Sequence, residues 1–114
     1  MTDRKPMEHE LKVLPQFYNG ISSHRKTFEI RKDDRDYQVG DRILLREFDG
    51  EKYTGNQTRR IITYILRDAK EYGLADGYCI LGIQPVGWDY IHKTTVIQNG
   101  SNCTCIENVG TLNL

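Results

Sequence analysis

The chain has 114 residues, 16 basic and 16 acidic side chains, a formal net charge of zero, and 38% hydrophobic against 28% charged residues. That length suits one domain, and the balance can bury a modest core while excluding a disordered chain. A protein that grips long nucleic acid by neutralising phosphates carries a basic excess, so any such contact here has to come from a local patch or from recognition of one or two nucleotides.

Residues 1–8 are polar and predict a flexible N-terminus. "HELKVLP" (9–15) alternates, with Leu11 and Val13 on one side of a short strand. Pro15 suits the first turn of a helix, where its missing N–H is no loss, and Phe17 and Ile21 then form one apolar stripe interrupted by Gly20. "KTFEIR" (26–31) alternates strictly: Phe28 and Ile30 predict a buried face, and Thr27, Glu29 and Arg31 the opposite one. Alternation alone would add Lys26 to the Phe28 face, but it stands at the strand's start, before the alternation is established, and its direction is left open.

"DDRDYQVGDR" has turn chemistry at both ends. "RILLREF" (42–48) predicts a strand, "DGEKYTGN" (49–56) a turn and "TRRIITYIL" (58–66) a long β-branched strand. Residues 67–77 read as a connector with one helical turn, and "YCILGIQP" (78–85) as a buried strand. From Val86 the chain is richer in Asn, Thr and Gly, and its "TTVIQ" run predicts an edge hairpin or a tail. The sum is an α+β, mostly β domain of five or six strands with one or two short helices, curled or closed into a small barrel.

Three cysteines, an odd number, argue against a disulfide framework and predict a reducing, cytoplasmic setting. The N-terminal dozen residues lack the apolar run of a signal peptide, and no stretch approaches the roughly 18 apolar residues of a membrane span.

"HRKTFEIRKDDRDYQVGD" (24–41) resembles the core signature of the ASCH domains of the PUA-like superfamily, a G-x-K-x-x-E-x-R element followed by a turn and x-V-G-D. With "HELKVLPQFY" and "FDGEKYTG" beside it, the chain looks most similar to small bacterial and phage proteins of that type. The resemblance covers residues 9–85 and leaves 86–114 as a C-terminal extension. One departure is that Ser23-His24 stands where many relatives have glycine before the basic pair. The resemblance implies a PUA-like pseudo-barrel with a cleft between barrel and first helix, RNA binding and, in some members, chemistry on modified nucleosides.

Lys26, Glu29 and Arg31 match the motif. Arginine offers a planar fork to a phosphate or a guanine edge, lysine a point charge, and glutamate an acceptor for an exocyclic amine. Equally, Glu29 and Arg31 could pair with each other or with Arg46 and Glu47. His9 and Lys12 either line the same cleft or sit on a solvent-exposed edge. Tyr53 and Thr54 either stack and bond a nucleotide or pack the hairpin.

Asp33, Asp34 and Asp36 are hard oxygen ligands, but their run lacks the glycine and glutamate spacing of a calcium loop and reads as turn capping. Cys103 and Cys105 have no second pair, and His24 and His92 are scattered, so neither a metal nor a cofactor is expected.

Relatives that hydrolyse N4-acylated cytidine use a lysine, a threonine and a glutamate. Lys26 matches the lysine, Glu29 occupies the threonine position, Thr27 lies nearby, and the third residue, with Glu71 as candidate, has no secure match. The expected function is therefore an RNA- or nucleotide-binding module. The alternatives are an amidohydrolase of a modified nucleoside, or a phage protein-interaction module suggested by the neutral charge and residues 86–114.

Overall fold

The structure, a computed structural model, describes residues 5–88. The predicted C-terminal hairpin or tail lies outside the described residues from position 89 on. Within them the elements run β1 (Glu8–Val13), α1 (Pro15–Ser22), β2 (Phe28–Lys32), β3 (Arg42–Phe48), β4 (Tyr53–Leu66) and β5 (Tyr78–Pro85), with a single 3₁₀ turn at Lys70–Tyr72. All five strands belong to one sheet in the order β1-β3-β4-β5-β2. The β1–β3 pair is parallel, with Leu11 opposite Leu45, and the remaining pairs are antiparallel.

The sheet curls into a half-barrel around Leu11, Val13, Ile43, Leu45, Leu81 and Ile83, with Ile21 of α1 plugging one side. Each fully buried aliphatic side chain contributes roughly 1.5–3 kcal/mol. Ile21 therefore anchors an eight-residue helix that could not persist alone. Pro15 opens α1 as expected, and Leu14 before it is extended. The predicted Phe17–Ile21 stripe is not what packs. Tyr18 and Ile21, three apart, face the core, and Phe17 is left 46% exposed. At the other end of the helix, buried Arg60 of β4 donates from Nη2 to the Ile21 carbonyl at 2.8 Å, and burial pushes its pKa down.

β2 is inverted relative to its sequence pattern. Phe28 and Ile30 were expected to face the core, but they are 45% and 53% exposed, whereas Glu29 is only 4% exposed. Register explains this. Glu29 lies opposite Leu81 and Arg31 opposite Cys79, and both partners point into the core, so the ionic residues share that inner face. A carboxylate there is tolerable only if it is paired.

β4 is longer than predicted and absorbs Tyr53–Gln57, an exposed stretch that carries the hairpin past the barrel. The turn shrinks accordingly: Asp49 Oδ1 accepts from the N–H groups of Glu51 and Lys52, at 2.8 and 3.0 Å, and Gly50 takes φ 107°. The Asp33–Asp36 run serves the fold, as Asp33 accepts from Arg67 Nε at 2.6 Å.

The two outer strands, β1 and β2, approach each other across the half-barrel's open side. Arg31 Nη2 donates to the Lys12 carbonyl at 2.7 Å and Arg35 Nη1 to the Glu10 carbonyl at 3.1 Å. Guanidinium groups, not a backbone ladder, draw the seam together.

Candidate functional site

At the helix end of that seam, α1 finishes in a tight wrap. His24 takes φ 66°, a left-handed conformation that costs a side chain about 1–2 kcal/mol. The wrap lets the N–H groups of Arg25 and Lys26 both reach the Gly20 carbonyl, at 3.0 and 2.8 Å. The Lys26 stem then lies on Gly20, where a Cβ would stand 3.0 Å from the Cβ of Lys26. The mid-helix glycine gives the Lys26 stem this close approach.

From that anchor Lys26 Nζ reaches Glu29 Oε1 at 2.5 Å and the Phe28 carbonyl at 2.6 Å. Its ammonium lies 4.7 Å from the ring centre of Phe28 and 5.6 Å from that of Phe17. On the other carboxylate oxygen, Arg31 donates from Nε at 3.0 Å and from Nη2 at 2.8 Å. The buried carboxylate is thus bridged between two cations, which satisfies the pairing its position demands.

These groups line a cleft of about 380 Å³ between β1, the start of α1 and β2. That is within the size range of small-ligand sites. Lys12, Val13, Leu14 and Phe17 form one wall, and Lys26, Phe28, Glu29, Ile30 and Arg31 the other. The lining includes three cationic residues, Lys12, Lys26 and Arg31, and one carboxylate, Glu29, a local formal charge of +2 on a chain with none overall. Lys26 has used two of its three donors. Glu29 accepts three bonds out of about four it can take, so one lone pair remains on Oε1. A free donor and a free acceptor therefore sit side by side above aromatic walls.

Residues 8–83, two thirds of the chain and all but the last two positions of the sheet, match the family described as "Domain of unknown function (DUF3850)". The chain belongs to that family. This DUF3850 chain is also 33% identical over 55 residues to the "Uncharacterized 12.9 kDa protein in GpA 3'region" of Escherichia phage P2. The match covers 48% of this chain and 50% of the phage protein, so it spans about half the length of that relative.

Of the residues singled out from sequence, the DUF3850 fold brings Lys26, Glu29, Arg31 and Lys12 to one cleft. His9 is elsewhere. It is buried on the inner face of β1, with Nε2 2.8 Å from Asp41 Oδ2 and its ring edge-on to Tyr37. Asp41 also accepts from the N–H groups of Met7 and Gln38, so His9 belongs to a structural hub joining β1 to the loop before β3. Tyr53 is outside the cleft lining, but its ring centre is 5.8 Å from the ammonium of Lys12. Thr27, although one residue from Lys26, is exposed and not part of the lining. Glu71 lies in the 3₁₀ turn, also outside the lining.

Sequence reasoning missed Phe17, Phe28 and Leu14 as walls. The available signal was Gly20: an isolated glycine in a short helix marks close approach, and the neighbour it admits is Lys26.

Proposed function

We propose that the cleft binds a nucleotide, with a base between the Phe17 and Phe28 walls and Lys26 and Glu29 reading its edge. The observation that carries this reading is the juxtaposition of one spare Lys26 donor and one spare Glu29 acceptor in an aromatic-walled cleft of net positive charge. A donor–acceptor pair complements any base edge that sets an N–H beside an acceptor, such as the amine and ring nitrogen of cytosine or adenine, or N3–H and O4 of uracil. Arg31 and Lys12 supply the positive field for a phosphate. The resemblance of residues 24–41 to the ASCH signature supports the same reading, that of a PUA-like RNA-binding module acting in a reducing cytoplasm.

Calorimetric titration with the four ribonucleoside 5′-monophosphates tests it. The nucleotides bind more tightly than inorganic phosphate, and Lys26→Met, which keeps the stem on Gly20, weakens nucleotide binding on the order of tenfold. Absence of saturable binding by the wild-type protein, or an unaltered affinity in the variant, refutes the proposal.

The Lys26–Glu29 contact also favours a second reading, hydrolysis of an acylated cytidine with that pair activating water. The threonine nucleophile of the relatives is not supplied, because Glu29 holds its position and Thr27 is outside the lining. Release of acetate from N4-acetylcytidine by the wild-type protein, and not by Lys26→Met, is the outcome that moves the assignment to an enzyme.

A further inference from the structure

Lys12 belongs to two groupings. It lines the cleft, and its ammonium also lies 4.4 Å from the ring centre of Phe48 and 5.8 Å from that of Tyr53. Tyr53 meets Phe48 edge-on, with ring centres 5.3 Å apart, and the guanidinium carbon of Arg46 is 3.7 Å from the Tyr53 ring centre. Two rings and two cations therefore continue from the cleft along the β3–β4 hairpin.

The two cations differ. Arg46 is bound to Glu10 at 2.7 Å, so its charge is offset and its plane braces the tyrosine. Lys12 has no carboxylate within ion-pair reach among the described residues. The hairpin contributes nothing to the core here: Tyr53 to Gln57 are all exposed, and Tyr53 keeps 36% of its surface in solvent. A ring braced by Arg46 and partly in solvent, beside an unneutralised ammonium, combines the two elements by which single strands are held, base on aromatic and phosphate on cation.

We infer that the occupant of the cleft is a short single-stranded nucleic acid, and that Lys12 and Tyr53 form a second subsite for it. One base enters the cleft, Lys12 takes the phosphate linking it to its neighbour, and that neighbouring base stacks on Tyr53. This rests on the nucleotide reading of the cleft. The zero net charge of the chain fits a grip on one or two nucleotides in place of a long polyanion track.

The test compares a nucleoside 5′-monophosphate with di-, tri- and hexanucleotides of the same base, in ribo and deoxyribo series, by fluorescence anisotropy or calorimetry. Wild-type protein binds the dinucleotide on the order of tenfold more tightly than the mononucleotide, and longer chains add little. Tyr53→Ala brings that ratio close to one. Lys12→Ala flattens the log–log salt dependence of dinucleotide binding by about 0.7, the share of one phosphate on a single strand. The ribo and deoxyribo arms identify which strand the site takes. A dinucleotide no tighter than the mononucleotide, or a ratio that survives Tyr53→Ala, overturns the second subsite and leaves the mononucleotide cleft standing. Failure of the wild-type protein to bind any of the series removes both.

Discussion

Gly20 and Lys26 are in direct packing contact: a methyl group on the first would meet the Cβ of the second at 3.0 Å. In an open helix, Gly→Ala stabilises by roughly 0.5–1 kcal/mol. Here that gain is opposed by a contact tighter than side chains normally make, and the strain displaces the ammonium that binds Glu29. Gly20→Ala is expected to leave the melting temperature unchanged or lowered and to weaken nucleotide binding several-fold. A melt and a titration on the same sample check it, and a stabilised protein with wild-type affinity contradicts the packing argument.

His24→Gly should act in the opposite direction. The left-handed conformation at the end of α1 strains a histidine and suits glycine, while glycine adds freedom to the unfolded chain. The net expectation is a gain of up to about 1 kcal/mol in chemical denaturation, with the cleft unaltered. A loss of stability means that the histidine ring makes a contact that offsets the strain.

Glu29→Gln separates folding from binding. The substitution leaves Lys26 and Arg31 facing a neutral amide, and losing a buried ionic partner costs about 3–5 kcal/mol when both partners are sealed from water. The Lys26 and Arg31 side chains keep 18% and 24% of their surface in solvent, so a smaller loss is expected, about 1–3 kcal/mol. Local charge rises from +2 to +3 at the same time, so inorganic phosphate should bind more tightly to the variant although it unfolds in less urea. Weaker phosphate binding runs against the charge arrangement described.

Cys79 gives a pH dependence. Burial, with Asp33 nearby adding to it, pushes its thiol up from an ordinary 9.0 to about 11. The folded chain therefore holds this proton after the unfolded chain has released it. Its contribution to stability is fully present below pH 9 and declines as pH rises from 9 towards 11. Urea midpoints measured across pH 8–11 should fall through that window, and less steeply in Cys79→Ala. At pH 8, mass spectrometry after alkylation should find Cys79 unmodified in the native protein and modified in urea.

Much of the fold was legible from alternation and turn chemistry. Pro15, the Asp49–Gly50 turn and the strands at 42–48 and 78–85 were all marked by local signals, and they stand where those signals put them. β2 was not legible in the same way. Its apolar residues were assigned inward because hydrophobic burial is the usual arbiter of strand facing, but here register against β5 and a double ion pair on Glu29 reverse it. Neither a register nor a partner nineteen residues away, as with Arg31 and the Lys12 carbonyl, can be read from one segment. The same limit applies to His9. Expected in the cleft or on an exposed edge, it is instead buried, and the partner that holds it, Asp41, is 32 residues distant.

The seam between β1 and β2 makes the molecule a clasped sleeve. Where neighbouring strands share a row of peptide bonds, parting them breaks the whole row. Here two side-chain clasps, each worth no more than a few kcal/mol, stand in for it. Breathing should therefore start along this line, with β1 and β2 loosening before the β3–β4 hairpin, and hydrogen exchange would trace that order. A guest lying across the gap, touching Lys12 on one lip and Lys26 on the other, would fasten the sleeve, so that occupancy and rigidity rise together.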